Sequence, residues 1–309
     1  MTRYYLGVDG GGTNCRIRLT DESLATLGEG SGGRSNLQIE NGEPAFRSIA
    51  DGTRQAFAQA GIDYSETKNT YACFGMAGGR LTTDRVAFQQ RPWPFAAVKV
   101  YDDIDIARAG AHAGADGAVI IAGTGSAALA IVDGQRHQCG GWGFHIGDQM
   151  SGAILGRELV RRTVEATDGL VAGSSLTVAV LARFGGTVDA IMDWSFPKED
   201  HPAPAATGGT PQSLLGRAPA EYGALMPMLF DYYDRGDPVA RELIDLEMTY
   251  IDNYVRWFQA RGVDKLAAVG GVGTRLLPQM TARYGAFITT PLHEPLHGAV
   301  ILAKQNFAA

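Results

Sequence analysis

The chain has 309 residues, with 27 Lys and Arg against 33 Asp and Glu and a net charge of −6. Hydrophobic residues make up 45% and charged residues 19%, the balance of a globular protein large enough for two cores. With no basic patch to meet a phosphate backbone, a nucleic-acid partner is not expected.

The start, Met1-Thr2-Arg3 followed by Tyr4 to Val8, reads as a strand that Asp9 interrupts, too short for a signal peptide. No run approaches the roughly 20 apolar residues of a membrane span, so no membrane partner is expected. Asp9-Gly10-Gly11-Gly12-Thr13 comes next, and the following Cys15 to Thr20 alternates apolar and polar residues. The glycine turn therefore joins two strands. A dinucleotide fingerprint or a P-loop would instead open into a helix. Three glycines let backbone approach a phosphate closely, and the Asp9 carboxylate beside them calls for a cation, Mg²⁺ held through water.

Phe46 to Ala60 carries apolar residues at helical spacing. Ala96 to Tyr101 reads as a strand delivering Asp102 and Asp103 to its C-terminal end, where a carboxylate can face a cleft. A kinase needs such a group to accept the hydroxyl proton. Asp102 and Asp103 compete for that role, with Asp105 behind them, and capping of a helix over Ile104 to Ala113 is the competing explanation.

Ala118 to Ala122, Gly123-Thr124-Gly125-Ser126 and Ala127 to Val132 repeat the strand, glycine turn, strand design, with Asp133-Gly134 as the next turn. Thr13 and Ser126 fall at matching places, and two such units suggest a duplicated domain with a phosphate site between the halves. The loop Gly140 to Asp148 mixes glycines with Trp142, Phe144 and His145. Asp148 is the candidate for hydrogen-bonding a sugar hydroxyl, Trp142 and Phe144 are expected to pack the domain, and His145 to be structural or on the rim.

Helices are expected over Gly152 to Val164 and Pro238 to Phe258, the second capped by Asp237. Phe196 to Pro219 reads as a loop. Lys265 to Val269 is a strand entering Gly270-Gly271-Val272-Gly273 and then a helix, a turn that accepts a flat ring or a phosphate. Leu296 to Gln305 reads as a final helix. Cys15, Cys73 and Cys139 are odd in number and form no CxxC pair, so a reducing cytoplasm is expected and a disulfide framework or zinc site is not.

Taken in order, Asp9 to Thr13, Gly123 to Ser126, Gly140-Gly-Trp-Gly143 with Gly147-Asp148, and Gly270 to Gly273 resemble the N-acetylglucosamine and glucosamine kinases of the BadF/BadG/BcrA/BcrD ATPase family, in the sugar kinase, heat-shock protein and actin superfamily. The resemblance implies an α/β fold of two ribonuclease-H-like, actin-like ATPase domains, residues 1–117 and 118–295, with helix 296–309 packing back on the first. It implies ATP and Mg²⁺ in the cleft, an amino sugar as acceptor at its 6-hydroxyl, and a homodimer. Asp9, Gly10, Gly11, Gly12, Thr13 and Asn14 would form the first phosphate loop, Gly123, Thr124, Gly125 and Ser126 the second, and Gly270, Gly271, Val272 and Gly273 the adenosine loop. The family's base precedes a helix leading into a Gly-Ala-His turn, here Gly110-Ala111-His112, which selects Asp103. Asn36, Gly78, Thr124, Gly141 and Asp148 would meet the sugar. Gln149-Met150 stands where the family usually has Glu-Gly.

The alternative in the same family is a sugar-independent ATPase that activates a partner protein. That class needs paired cysteine ligands, which these three contexts do not offer. A sugar-responsive repressor would need a DNA-binding motif ahead of Tyr4, and an actin-like filament protein would not need the Gly140 to Asp148 loop.

Overall fold

The computed structural model describes residues 2–196 and 216–308, so most of the Phe196 to Pro219 expectation lies outside the described residues. Two five-stranded sheets carry the fold. The first contains β1 (Tyr4–Gly10), β2 (Cys15–Thr20), β3 (Thr26–Gly32), β4 (Thr70–Met76) and β5 (Ala97–Asp102), in the order β3-β2-β1-β4-β5. The second contains β6 (Gly117–Ala122), β7 (Ser126–Val132), β8 (Gln135–Gly140), β9 (Leu266–Val269) and β10 (Ile288–Thr289), in the order β10-β9-β6-β7-β8. In each sheet a central strand starts an antiparallel meander of three and also pairs in parallel with the fourth strand. The fifth strand in each continues that parallel side. The two halves are the same unit twice, and the glycine turns occupy the same hairpin in each. This is the two-domain actin-like ATPase fold, with ribonuclease-H-like halves.

Helix α1 (Glu43–Ala60) covers β2 and β3. Its approach explains a strand that apolar patterning does not reveal. A Cβ at Gly28 or Gly30 of β3 would lie 2.1 or 2.0 Å from a backbone oxygen of α1, so the strand spends its inward positions on glycine to let the helix backbone touch it. Helix α2 (Thr82–Gln89) packs on β5, and α3 (Asp103–Ala111) follows β5 directly, beginning one residue before the expected Ile104 and ending two before Ala113.

The second half adds α4 (Gly152–Thr167), α5 (Ser175–Arg183), α6 (Val188–Ser195), α7 (Pro219–Gly223), α8 (Met226–Asp234), α9 (Pro238–Gln259) and α10 (Gly271–Tyr284), with α10 packing on β6 and β9 and α3 on β6 and β7. Asp237 caps α9 as its sequence suggests, accepting from the Val239 and Ala240 amides, and it also accepts from Ser175 and Leu176 at the start of α5. Helix α11 (Pro295–Phe307) returns to the first sheet. There Ala299, Val300, Leu302 and Ala303 pack with Tyr5, Cys73 and Ile106, and a Cβ at Gly298 would lie 2.0 Å from the Ile106 carbonyl oxygen. Among the described residues, no single helix is long and apolar enough to cross a membrane.

One buried group works against the second core. Glu247 of α9 is 0% exposed among Leu243, Ile244, Met248 and Ile251, and among the described residues neither of its carboxyl oxygens has a hydrogen-bond partner. Burial pushes its carboxyl well above the usual range, so the folded protein holds a proton there that the unfolded chain releases near its ordinary pKa of about 4.3. A raised folded pKa contributes stability below that value and loses it as pH rises. Glu247→Leu should therefore stabilise the protein by roughly 1–3 kcal/mol at pH 8 and by less at pH 5. Urea unfolding at both pH values checks this, and an equal gain at both would contradict it.

Candidate functional site

The two glycine hairpins lie at corresponding ends of the two sheets. In the first, Gly10 pairs with Cys15 and the loop is Gly11–Asn14, closed by the Gly11 amide donating to the Asn14 carbonyl at 2.8 Å. Ser35, fully buried, braces it from below. Its amide donates to the Gly11 carbonyl at 3.0 Å, and its hydroxyl donates to the same carbonyl at 3.1 Å. Gly12, Thr13 and Asn14 stay exposed.

In the second hairpin, Ala122 pairs with Ser126 and the loop has only three residues, Gly123 to Gly125. Thr13 and Ser126 are therefore not equivalent. Thr13 lies in an exposed loop, whereas Ser126 is the first residue of β7 and its hydroxyl is buried without a partner among the described residues. The one-residue difference in loop length moves the hydroxyl from the tip into the strand. The carbonyls of Gly123 and Thr124 accept from the Gly152 and Ala153 amides at the start of α4, at 2.7 and 3.3 Å. That contact sets this turn against a helix N-terminus.

The Gly270 turn packs against the same hairpin. Gly270 has φ +89°, and a Cβ there would lie 2.5 Å from the Ala122 carbonyl oxygen, so both the conformation and the space require glycine. A cavity of about 570 Å³ opens beside it, lined by Gly123, Thr124, Gly152, Gly271 and Val272 from these turns. Its other wall comes from Gly223, Met226, Pro227, Phe230, Asp231, Asp234 and Arg275. Arg275 pairs with Asp234 and lies over the Phe230 ring at 5.2 Å. The sequence analysis did not single out this wall, because apolar residues at helical spacing such as Met226 and Phe230 follow the same pattern in a pocket as in a core.

At the first sheet, β1, β4 and β5 end together. Asp9, at the end of β1, accepts from Arg16 at 2.7 Å, and Arg16 also reaches Glu294, the residue before α11, at 2.8 Å. The turn after β4 presses on both neighbours. A Cβ at Gly78, which has φ +74°, would lie 2.2 Å from the Asn36 side-chain oxygen, and one at Gly79 would lie 3.1 Å from the Asp102 Cα. Asn36 is held by accepting from the Gln38 amide at 2.8 Å.

Asp102 closes β5 and Asp103 opens α3. Asp102 makes no side-chain cap on that helix and instead accepts from Gln138 at 3.0 Å, so the capping explanation fails for it. Burial pushes the Asp103 carboxyl well above the usual range, and the negative charges of Asp102 and Asp9 add to that. Burial likewise raises Asp102, against the Gln138 hydrogen bond.

Across the gap, Asp148 is 8% exposed and adopts φ +60°, a left-handed conformation that Asp tolerates better than most residues. It accepts from the Gly143 amide at 3.2 Å and also from the Ser126 amide, and burial raises its pKa. Gly141, at φ +72°, folds this loop back onto Ala127. Phe144 packs as expected, stacked on Tyr222 with centroids 5.5 Å apart. Trp142 does not pack inside. It is 54% exposed and lies under the Arg80 guanidinium at 4.2 Å, because its loop leaves the sheet at Gly140. His145 is exposed on the rim. Met150, beyond Gln149, is fully buried in the second core.

The donor set bears on any cation. Among the described residues, no three His, Cys, Asp or Glu side chains cluster as a metal cage. A single partly exposed carboxylate at Asp9 suits Mg²⁺, which keeps most of its water and shares phosphate oxygens, better than an ion caged by protein ligands. The geometry therefore offers exposed backbone at the glycine turns and a half-buried carboxyl within reach of the Asp9 charge.

Comparison with known proteins agrees over almost the whole chain. The model of the BadF/BadG/BcrA/BcrD ATPase family matches residues 6–303. Glucosamine kinase GspK of Vibrio cholerae is 30% identical over 302 residues, covering 98% of this chain and 96% of that protein. N-acetyl-D-glucosamine kinase of Dictyostelium discoideum is 23% identical over 276 residues, covering 84% and 81%. The crystal structure of a proposed N-acetylglucosamine kinase from Chromobacterium violaceum superposes with a TM-score of 0.80 at 29% identity, covering 97% of this chain and 99% of that one. A ROK family glucokinase from Streptomyces griseus shares the fold, with a TM-score of 0.53 at 17% identity over 98% and 99% of the two chains. With its twin hairpins, its Gly270 turn and a match spanning both sheets, the chain belongs to the BadF/BadG/BcrA/BcrD ATPase family.

Proposed function

We propose that this protein is an ATP-dependent amino-sugar kinase that transfers the γ-phosphoryl group to the 6-hydroxyl of glucosamine or N-acetylglucosamine. The observation that carries the reading is the half-buried Asp103 carboxyl at the start of α3, raised in pKa, with Asp9 near enough for its charge to act on it and the two glycine hairpins at the sheet ends. The names of the Vibrio and Dictyostelium relatives support the substrate class.

On this reading the domain boundary falls between residues 117 and 118. The Gly10–Asn14 and Gly123–Ser126 hairpins cradle the phosphates through backbone amides, and Gly270 to Gly273 flank the adenosine in the cavity beside Met226 and Phe230. Asn36, Gly78, Thr124, Gly141 and Asp148 surround the sugar. Asp103 accepts the proton of the attacking hydroxyl, and its raised pKa makes it a stronger base than an exposed aspartate. Mg²⁺, held at Asp9 through water, would neutralise phosphate charge. Phosphoryl transfer leaves the protein little else to do than position and stabilise.

The partner-activating ATPase reading finds less support. Cys15, Cys73 and Cys139 lie on β2, β4 and β8, and burial pushes the Cys15 thiol up to about 12 and the Cys139 thiol up to about 11. Neither thiol is set up as a thiolate ligand.

Asp103→Asn should lower kcat by about 10²–10⁴-fold while nucleotide affinity, measured by calorimetry, is retained. Near-normal turnover would remove Asp103 from the role of base. Gly270→Ala puts a side chain at positive φ against the Ala122 carbonyl, a strain of roughly 1–3 kcal/mol. Its KM for ATP should rise about tenfold or more with the sugar KM unchanged. An unaltered ATP KM would move the adenosine away from this turn.

A further inference from the structure

Strand β8 is the edge of the second sheet, yet alternate residues on it reach the first domain beside the candidate base. Arg136 makes a bidentate pair with Asp105 of α3 at 2.7 and 2.9 Å. Two residues on, and so on the same face of the strand, Gln138 donates its amide nitrogen to Asp102 at 3.0 Å. The Gln138 oxygen accepts from Arg80 at 2.8 Å, and Arg80 lies over the Trp142 ring. A guanidinium has donors only, so Arg80 fixes which end of the Gln138 amide faces Asp102.

We propose that Gln138, oriented by Arg80, is a positioning residue that holds Asp102 and through it sets the placement of Asp103 from the opposite domain. The proposal rests on the kinase reading above. Asp102 is the last residue of β5 and the N-cap of α3, with φ −70° and ψ 152°, so fixing its side chain fixes the peptide from which Asp103 departs. The Asp102 charge also acts on Asp103, so a shift of Asp102 alters the base's surroundings as well as its placement. Arg136–Asp105 is the stronger rung and keeps the two domains in register. Gln138–Asp102 is the weaker rung next to the chemistry, and it forms only when the second sheet is correctly seated against β5. A displacement of about 1 Å at a reacting group can cost about 100-fold in rate, so a bond of this kind acts on turnover more than on binding.

The test measures kcat, both KM values and the melting temperature, with ATP-Mg²⁺ and either glucosamine or N-acetylglucosamine, for Gln138→Leu, Gln138→Glu, Arg80→Met and the Gln138→Leu/Arg80→Met double variant. Asp103→Asn is assayed in parallel. Gln138→Leu should lose about tenfold or more in kcat with the KM for ATP and the melting temperature close to those of the parent. Gln138→Glu keeps the length and the Arg80 partner but cannot donate to Asp102, so it should lose as much. If Arg80 acts on Asp102 through Gln138, the double variant should be no slower than Gln138→Leu alone. Full kcat in Gln138→Glu, or losses that multiply in the double variant, would overturn the proposal while leaving the kinase reading intact. Normal turnover in Asp103→Asn would instead overturn the base assignment and this inference with it.

Discussion

Four carboxyl groups, Asp9, Asp102, Asp103 and Asp105, crowd the ends of β1 and β5, and the architecture around them keeps that charge tolerable. Unpaired, such a group would repel both its neighbours and any phosphate brought to it. Each flanking carboxylate has its own partner. Arg16 takes Asp9, Gln138 takes Asp102 and Arg136 takes Asp105. Asp103 alone has neither cation nor amide side chain against it among the described contacts, and burial, with the charges of Asp102 and Asp9 beside it, pushes its carboxyl well above the usual range.

The partners come from distant parts of the chain, which is why the site depends on the whole fold. Arg16 is on β2 and ties Asp9 to Glu294 at the head of the returning helix α11. Gln138 and Arg136 are on β8 of the other sheet. The charge pairs therefore register three pieces: the first hairpin, the C-terminal helix and the edge of the second domain. The duplicated topology supplies the framework, because each sheet ends a central strand in a glycine turn with bare backbone exposed. Functional asymmetry is added on top. The first hairpin has a four-residue loop and a carboxylate, whereas the second has a three-residue loop set on the N-terminus of α4.

The glycine hairpins were legible in sequence because an apolar run, a glycine cluster and an alternating segment have one simple explanation. The same holds for Asp237, whose position before a proline announces a cap. Strand β3 was not legible, since Thr26–Gly32 has almost no apolar side chains and exists to let α1 come close. From the residues alone Asp102 and Asp103 stayed in competition, and the family resemblance chose Asp103. Adjacent aspartates differ only in what faces them, and Gln138 is 36 residues away from Asp102. The far wall of the cavity was hidden for a related reason: residues such as Met226 and Phe230 serve a pocket and a core with the same pattern. Trp142 misled in the opposite direction, an aromatic that sits on a guanidinium in the open rather than in a core.

The central claim is that phosphoryl transfer from ATP requires an amino-sugar acceptor. A coupled assay of ADP release, with ATP-Mg²⁺ against glucosamine, N-acetylglucosamine, N-acetylmannosamine, glucose and no sugar, tests it directly. The account predicts turnover with glucosamine or N-acetylglucosamine far above the sugar-free rate. ADP release at the same rate with and without every sugar would contradict it and leave a sugar-independent ATPase.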